Sequence, residues 1–254
     1  MFVDSHSHIY SSDFSLDRDE VITRALEAGV ERIVLPNIDS SSIKPLLDLT
    51  DTIPGLFFPL LGLHPTSVKE DFRKELLILE YWLAKRKFYG IGEIGIDLFW
   101  DKSFLEEQIE AFTTQVEWAK SRKFPIVIHV RDSFKEVMEQ LRKVYNHDLH
   151  GVFHSFTGTL EEAEQIIELG FKIGINGIVT FKNSGLSETV QKIDPRHLLI
   201  ETDSPWLAPV PHRGKRNECS YLVTVAAKIA EVHDVSIEKI AAITSRNAKE
   251  LFGF

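Results

Sequence analysis

M-F-V-D-S-H-S-H, residues 1–8, joins a short apolar run to two histidines one residue apart. Side chains alternate across a strand with a period of two, so His6 and His8 share a face with Asp4 beneath them. Two imidazoles aimed the same way suit a metal ion. Taken alone, H-x-H also fits two hydrogen-bonded histidines of a core or a surface, and the rest of the chain has to separate the two readings.

The apolar run that opens the chain recurs. Runs rich in β-branched and aliphatic residues at 2–7, 32–37, 56–63, 89–94, 126–130, 151–155, 171–176 and 198–202 alternate with segments of helical period. The helical segments span 17–28, 42–51, 75–87, 105–122, 133–145, 160–169 and 185–192; another covers about 220–232, with two shorter helices expected after it. Several start after Asp, Ser or Thr and stop at Gly29 or Gly170, as cap chemistry requires. Eight β-α units in 254 residues point to an α/β fold of one domain, 1–254: a single (β/α)8 TIM barrel. No G-x-G-x-x-G follows the first strand, so a dinucleotide fold has no support.

With 43% hydrophobic and 26% charged residues, the chain reads as an ordinary globular protein. A single cysteine, Cys219, forms no internal bridge, and no charged start with an apolar segment precedes the first strand. A cytoplasmic location is expected. No apolar stretch approaches the roughly 18–20 residues that span a bilayer. A net charge of −9 argues against holding nucleic acid by bulk electrostatics. It leaves room for a nuclease, because metal ions and a local basic loop can supply the positive field.

In this barrel, chemistry is done at the carboxyl ends of the strands, and the ligand-type residues fall there. Strand one ends in His6 and His8, strand three in His64, and strand four in Glu93 and Asp97. Strand five ends in His129 and Arg131, strand six in His154, and strand eight in Glu201 and Asp203. His147, His150, His197 and His233 read as loop or surface residues. Five histidines and several carboxylates at one barrel mouth exceed what one catalytic zinc needs, which is three protein ligands and a water. Two ions are expected: one on His6, His8 and Asp203, the other on His129 and His154, with Glu93 bridging. Imidazole leans towards zinc, manganese or iron, and the carboxylates also admit magnesium.

These segments also carry a resemblance. The H-x-H start, G-L-H-P (62–65), G-E-I-G-I-D (92–97), H-V-R (129–131), H-S-F-T-G (154–158), E-T-D-S-P (201–205) and P-H-R-G-K-R-N-E (211–218) resemble the motifs of the TatD family of metal-dependent deoxyribonucleases, within the amidohydrolase superfamily. Seven motifs in order, from Met1 to the C-terminus, make the resemblance specific. It implies a TIM barrel, two divalent ions (Mg2+, Mn2+ or Zn2+) and hydrolysis of DNA, commonly as a 3′-to-5′ exonuclease preferring single strands. His6, His8, Glu93, His129, His154 and Asp203 match the family's metal ligands, and His64 a residue near the substrate phosphate. One position departs: Cys219 follows R-N-E where proline is expected, which leaves open the rigidity of that loop and not the metal centre.

The basic segment brings His212, Arg213, Lys215 and Arg216 towards the catalytic face. Together with His64 and Arg131, Arg213 and Arg216 are expected to hold substrate phosphate, since phosphate sites in these barrels often lie near strands seven and eight. Tyr10, Phe99, Trp100, Phe156, Phe181 and Trp206 fall in loops after the strands; they can stack on bases or seal the barrel rim. The catalytic group is expected to comprise Asp203, Glu93 and His64, with Glu201 and Asp4 behind the ligands. DNA is the expected partner, with no membrane and no obligate protein partner. A metal-dependent ester hydrolase, such as a D-aminoacyl-tRNA deacylase, and a C–N amidohydrolase are the alternatives. Glu93 stands where the latter often place a carbamylated lysine.

Overall fold

The computed structural model describes residues 1–254. The expected runs form eight strands: β1 (Phe2–Asp4), β2 (Val30–Leu35), β3 (Phe57–Pro59), β4 (Ile91–Asp97), β5 (Ile126–Arg131), β6 (Gly151–Phe153), β7 (Lys172–Ile175) and β8 (Leu198–Ile200). All pair in parallel with their sequence neighbours within β1–β3 and within β4–β8. Two seams join these arcs into a ring. Leu61 bridges to Ile91 at one, with Gly92 N–H donating to the Leu61 carbonyl at 3.0 Å. At the other, Ser7 bridges to Ser204, Ser5 N–H donates to Ile200 (3.1 Å) and Asp203 N–H donates to His6 (2.9 Å). The closed α/β barrel is therefore the fold.

Strand alternation sets what faces inward. Val3, Val34, Phe58, Leu60, Val127, Val152 and Leu199 form one buried cluster inside the ring, closed by Ala248, Leu251 and Phe252. Their neighbours Ile33, Leu35, Ile126, Ile128, Phe153, Leu198 and Ile200 belong to a separate, larger cluster. His129, His154 and Glu201 each lie two residues beyond an interior valine or leucine, Val127, Val152 and Leu199, so they continue that inner face.

The helices are α1 (Arg18–Glu27), α2 (Ser40–Thr50), α3 (Phe72–Lys85), α4 (Leu105–Arg122), α5 (Phe134–Val144), α6 (Leu160–Glu168), α7 (Leu186–Val190), α8 (Leu222–Val232) and α9 (Ile237–Phe252). Capping boxes start α2 (Asp39 with Ser42) and α6 (Thr159 with Glu162). The two short helices expected at the C-terminus are one helix, α9, of 16 residues. Ser236 caps it through Lys239 N–H, and no glycine or proline interrupts it before Gly253.

Helix α4 positions the site from behind. Gln108 and Gln115, seven residues apart on its buried face, each clamp one backbone unit. Gln108 accepts from Asp97 N–H (2.8 Å) and donates to the Asp97 carbonyl (3.2 Å). Gln115 does the same for Leu63, at 2.6 and 3.3 Å, next to His64. Gly95 separates Glu93 from Asp97 on β4 with φ +149°, and a Cβ there would lie 2.0 Å from the His129 carbonyl. Gly95→Ala is expected to lower stability by about 3 kcal/mol or more, because backbone rather than a flexible side chain blocks it. Thermal unfolding checks this, with a fall in Tm of roughly 6–12 °C expected.

Candidate metal centre

Glu93, 2% exposed on β4, is the middle of the site. Its two oxygens face different partners. Oε2 lies 3.1 Å from His6 Nε2 and 3.8 Å from His8 Nε2. Oε1 lies 2.7 Å from His154 Nε2, 2.9 Å from His129 Nδ1 and 3.3 Å from His64 Nε2. Asp203 joins the first side, its Oδ1 3.7 Å from His6 Nε2 and 3.9 Å from His8 Nε2, and the two imidazole nitrogens are 3.2 Å apart. The structure thus brings His6, His8, His64, Glu93, His129, His154 and Asp203 into one group at the mouth of the barrel.

Three observations fit this group to cations. Ligand atoms held at about 2.1 Å by a tetrahedral zinc stand about 3.4 Å apart, close to the separations found here. His8 supplies the second. Tyr10 donates its hydroxyl to the Pro36 carbonyl (2.7 Å), so its oxygen accepts from His8 Nδ1–H (2.9 Å), and His8 Nε2 turns a lone pair towards the carboxylates. His129 is the third, with Nδ1 at 2.9 Å from Glu93 and Nε2 at 2.9 Å from Asp97. Two carboxylates facing one ring favour positive charge there, which an imidazolium supplies in metal-free protein and a cation on Nδ1 would supply in its place. His154 Nε2, although 2.7 Å from Glu93, lacks the alignment of a hydrogen bond, and His6 Nδ1 has no partner.

Burial and charge act together on these groups. Burial would raise the Glu93 carboxyl, but His154, His64 and His6 hold it well below the usual range. Burial lowers His8, with His6 adding to the effect, and keeps it neutral. Burial would lower His154 as well, yet Glu93 and Glu201 carry it well above its ordinary value. Asp203 is pushed up to about 8 by burial, with Glu93 and Glu201 as unfavourable neighbours. Perturbation concentrated in one cleft marks a functional site.

His64 differs from the other histidines. Its Nδ1 accepts from Thr66 N–H (3.1 Å), which leaves the proton on Nε2 and makes the ring a donor into the cleft. Glu201 accepts from Ser155 N–H (2.5 Å) and stands 3.5 Å from His154 Nδ1. Asp4 touches no ligand ring; it accepts from His6 N–H and from the backbone and hydroxyl of Thr202, ordering the backbone around the ligands.

The cleft over the group has a volume of about 640 Å³, and its lining includes Arg131, Trp100 and Trp206. Other expectations are corrected. Arg216 does not reach the cleft: it pairs with Asp17 (2.6 Å), donates to the Asp13 carbonyl (2.6 Å) and lies over Phe14. Arg213 lies over Phe181 (4.3 Å) and is absent from the lining. Of the two roles left open for the loop aromatics, Tyr10, buried against His8, and Phe156, buried in the core, take the sealing one. Cys219 is fully buried, with Sγ 3.2 Å from Ser7 Oγ. Sequence reasoning left Asp97 and Tyr10 without their roles as partners of His129 and His8. The D in G-E-I-G-I-D and the H-x-Y after the first histidine were the available signals.

Comparison with known proteins agrees with this geometry. Residues 3–253 match the family described as TatD related DNase. The chain is 38% identical over 253 residues to the metal-dependent hydrolase YabD of Bacillus subtilis, covering 99% of each. It is 31% identical over 254 residues to the metal-dependent hydrolase YcfH of Escherichia coli K12, covering 98% of this chain and 95% of the relative. The crystal structure of YjjV, a TatD homologue from Escherichia coli K12, superposes with a TM-score of 0.93 at 29% identity, over 100% of this chain and 98% of that one. A TatD-family hydrolase structure from Entamoeba histolytica, at 22% identity and a TM-score of 0.84, shares the fold. No helix is long and apolar enough to cross a membrane. With the family match running nearly end to end over a barrel whose mouth gathers these ligands, the chain belongs to the TatD family of metal-dependent hydrolases.

Proposed function

We propose that the chain, working as one domain over residues 1–254, hydrolyses phosphodiester bonds of DNA with two divalent ions, shortening single-stranded 3′ ends in the 3′-to-5′ direction. The observation that carries the reading is the division across Glu93, with Oε2 turned to His6 and His8 and Oε1 turned to His154 and His129. His6, His8 and Asp203 would hold one ion, His129 and His154 the other, and Glu93 both. The donor set suits magnesium, manganese or zinc. Bound there, such ions make water nucleophilic near neutral pH and stabilise charge at phosphorus.

The chain's own groups complete the site. Asp203 turns Oδ1 to His6 and His8 and has a second oxygen with which to orient and deprotonate the attacking water. His64 donates from Nε2, and Arg131 from its guanidinium, to the non-bridging phosphate oxygens as charge builds on them. Trp100 and Trp206, 69% and 49% exposed at the cleft, offer faces to unpaired bases. Arg213, stacked on Phe181 outside the cleft lining, would meet phosphates further along the strand. Ester hydrolysis at carbonyl carbon, as in a D-aminoacyl-tRNA deacylase, uses the same groups and is the second substrate class to assay.

Metal-stripped protein is given an end-labelled oligonucleotide with an unpaired 3′ end and, in turn, magnesium, manganese or zinc. Stepwise shortening that requires the ion and is lost in Glu93→Gln is expected; no cleavage with any ion by folded, metal-loaded protein contradicts the proposal. Asp203→Asn should lower kcat by about 10³-fold with the fold retained in circular dichroism. Trp100→Ala and Trp206→Ala should raise KM for oligonucleotides by roughly 5- to 100-fold each, and an unchanged KM removes the stacking role.

A further inference from the structure

Asp97 ends β4 and is 2% exposed, with its backbone clamped by Gln108 on both sides. Its two carboxylate oxygens serve two structures. Oδ2 accepts from His129 Nε2 at 2.9 Å, so the other ring nitrogen, Nδ1, faces Glu93. Oδ1 accepts from the backbone N–H groups of Phe99 (3.0 Å) and Trp100 (3.2 Å). Those aromatic residues are exposed, and their loop is also tied by Leu98 N–H to the Arg131 carbonyl (2.9 Å) and by Lys69 to Asp101 (3.6 Å). The Arg131 guanidinium lies over Phe99 at 3.9 Å and Trp100 at 5.2 Å. Phe99, Trp100 and Arg131 thus form a ledge that presents ring surface and cationic donors side by side, the chemistry that a nucleobase and its adjoining phosphate require.

We infer that Asp97 is a positioning residue that couples the two: one oxygen orients His129, and the other sets the Phe99–Trp100–Arg131 ledge, so that the seat of the substrate is fixed relative to the metal centre. The inference rests on the cleft being a DNA-hydrolysing site. A mere turn cap would use Oδ1 alone; Oδ2 on His129 is what a cap does not explain. Asp97→Asn separates the functions. Its amide oxygen can still accept from Phe99 and Trp100, whereas its NH2 faces His129 as a donor. Nε2 then has to accept, and the proton moves to Nδ1, the atom turned towards Glu93.

Titration of metal-free protein with zinc or manganese by calorimetry is combined with kcat and KM on a 3′-unpaired oligonucleotide and on bis(4-nitrophenyl) phosphate. Asp97→Asn is expected to weaken metal affinity about 10- to 100-fold and to lower kcat on both substrates, with oligonucleotide KM unchanged. Asp97→Ala, which removes both oxygens, should in addition raise oligonucleotide KM as far as Trp100→Ala does. Trp100→Ala itself should leave metal affinity at the wild-type value. Wild-type metal affinity and kcat in Asp97→Asn would overturn the His129 role, and an unchanged oligonucleotide KM in Asp97→Ala would overturn the ledge role. If wild-type protein cleaves the diester but no DNA, the reading of the substrate fails on its own, while the calorimetric comparison still decides whether Asp97 acts through His129. Circular dichroism of each variant, with Asp97→Asn as the near-isosteric case, confirms that folded protein is compared.

Discussion

A carboxylate buried among five imidazoles is the constraint on which this molecule turns. Glu93 cannot be neutralised cheaply in place, because His154, His64 and His6 hold it ionised despite its burial. Asp203, Asp97 and Glu201 crowd the same barrel mouth with further acid groups. Burying an ionised carboxylate is unfavourable unless positive charge sits within reach, and the ring nitrogens of His8, His129 and His154 face Glu93, where cations would complete the balance. The barrel supplies the rigidity this needs. One seam of the ring runs through the site, with Asp203 N–H bound to His6, and beside the other Glu93 N–H bonds to Asn37 just beyond β2, so the bonds that close the fold also hold the site residues.

A second layer keeps the first in register. Tyr10 orients His8, Asp97 orients His129, Thr66 sets the donor atom of His64, and the α4 glutamines hold the backbone beside two of these residues. Outside that layer the surface is acidic overall, and the cleft lining contains one arginine, Arg131. On the proposed reading, affinity for a polyanion would come from ions at the centre and stacking at the rim rather than from a basic surface.

Much of this was legible in the sequence, for a physical reason. Strand alternation is rigid, so a histidine two residues beyond an interior valine, as with Val127 and His129 or Val152 and His154, must continue the inner face. Arg216 shows where the reading failed. A run of basic residues in a loop says which segment is cationic, but not whether a nearby carboxylate has already taken the charge. Asp17, nearly two hundred residues away, takes Arg216. For Tyr10 and Phe156 the sequence left base stacking and sealing of the rim both open, and burial against His8 and in the core decides for the second. The single C-terminal helix was missed because a lone Ser-capped start looks like one break among several in a polar stretch.

The account stands on Glu93 dividing the centre between two cations. Anomalous diffraction from crystals of the manganese- or zinc-loaded protein measures that directly. Two peaks roughly 3.5 to 4 Å apart are predicted, one beside His6, His8 and Asp203 and one beside His129 and His154, with Glu93 between them. A single fully occupied peak at saturating metal, or peaks away from Glu93, would contradict it.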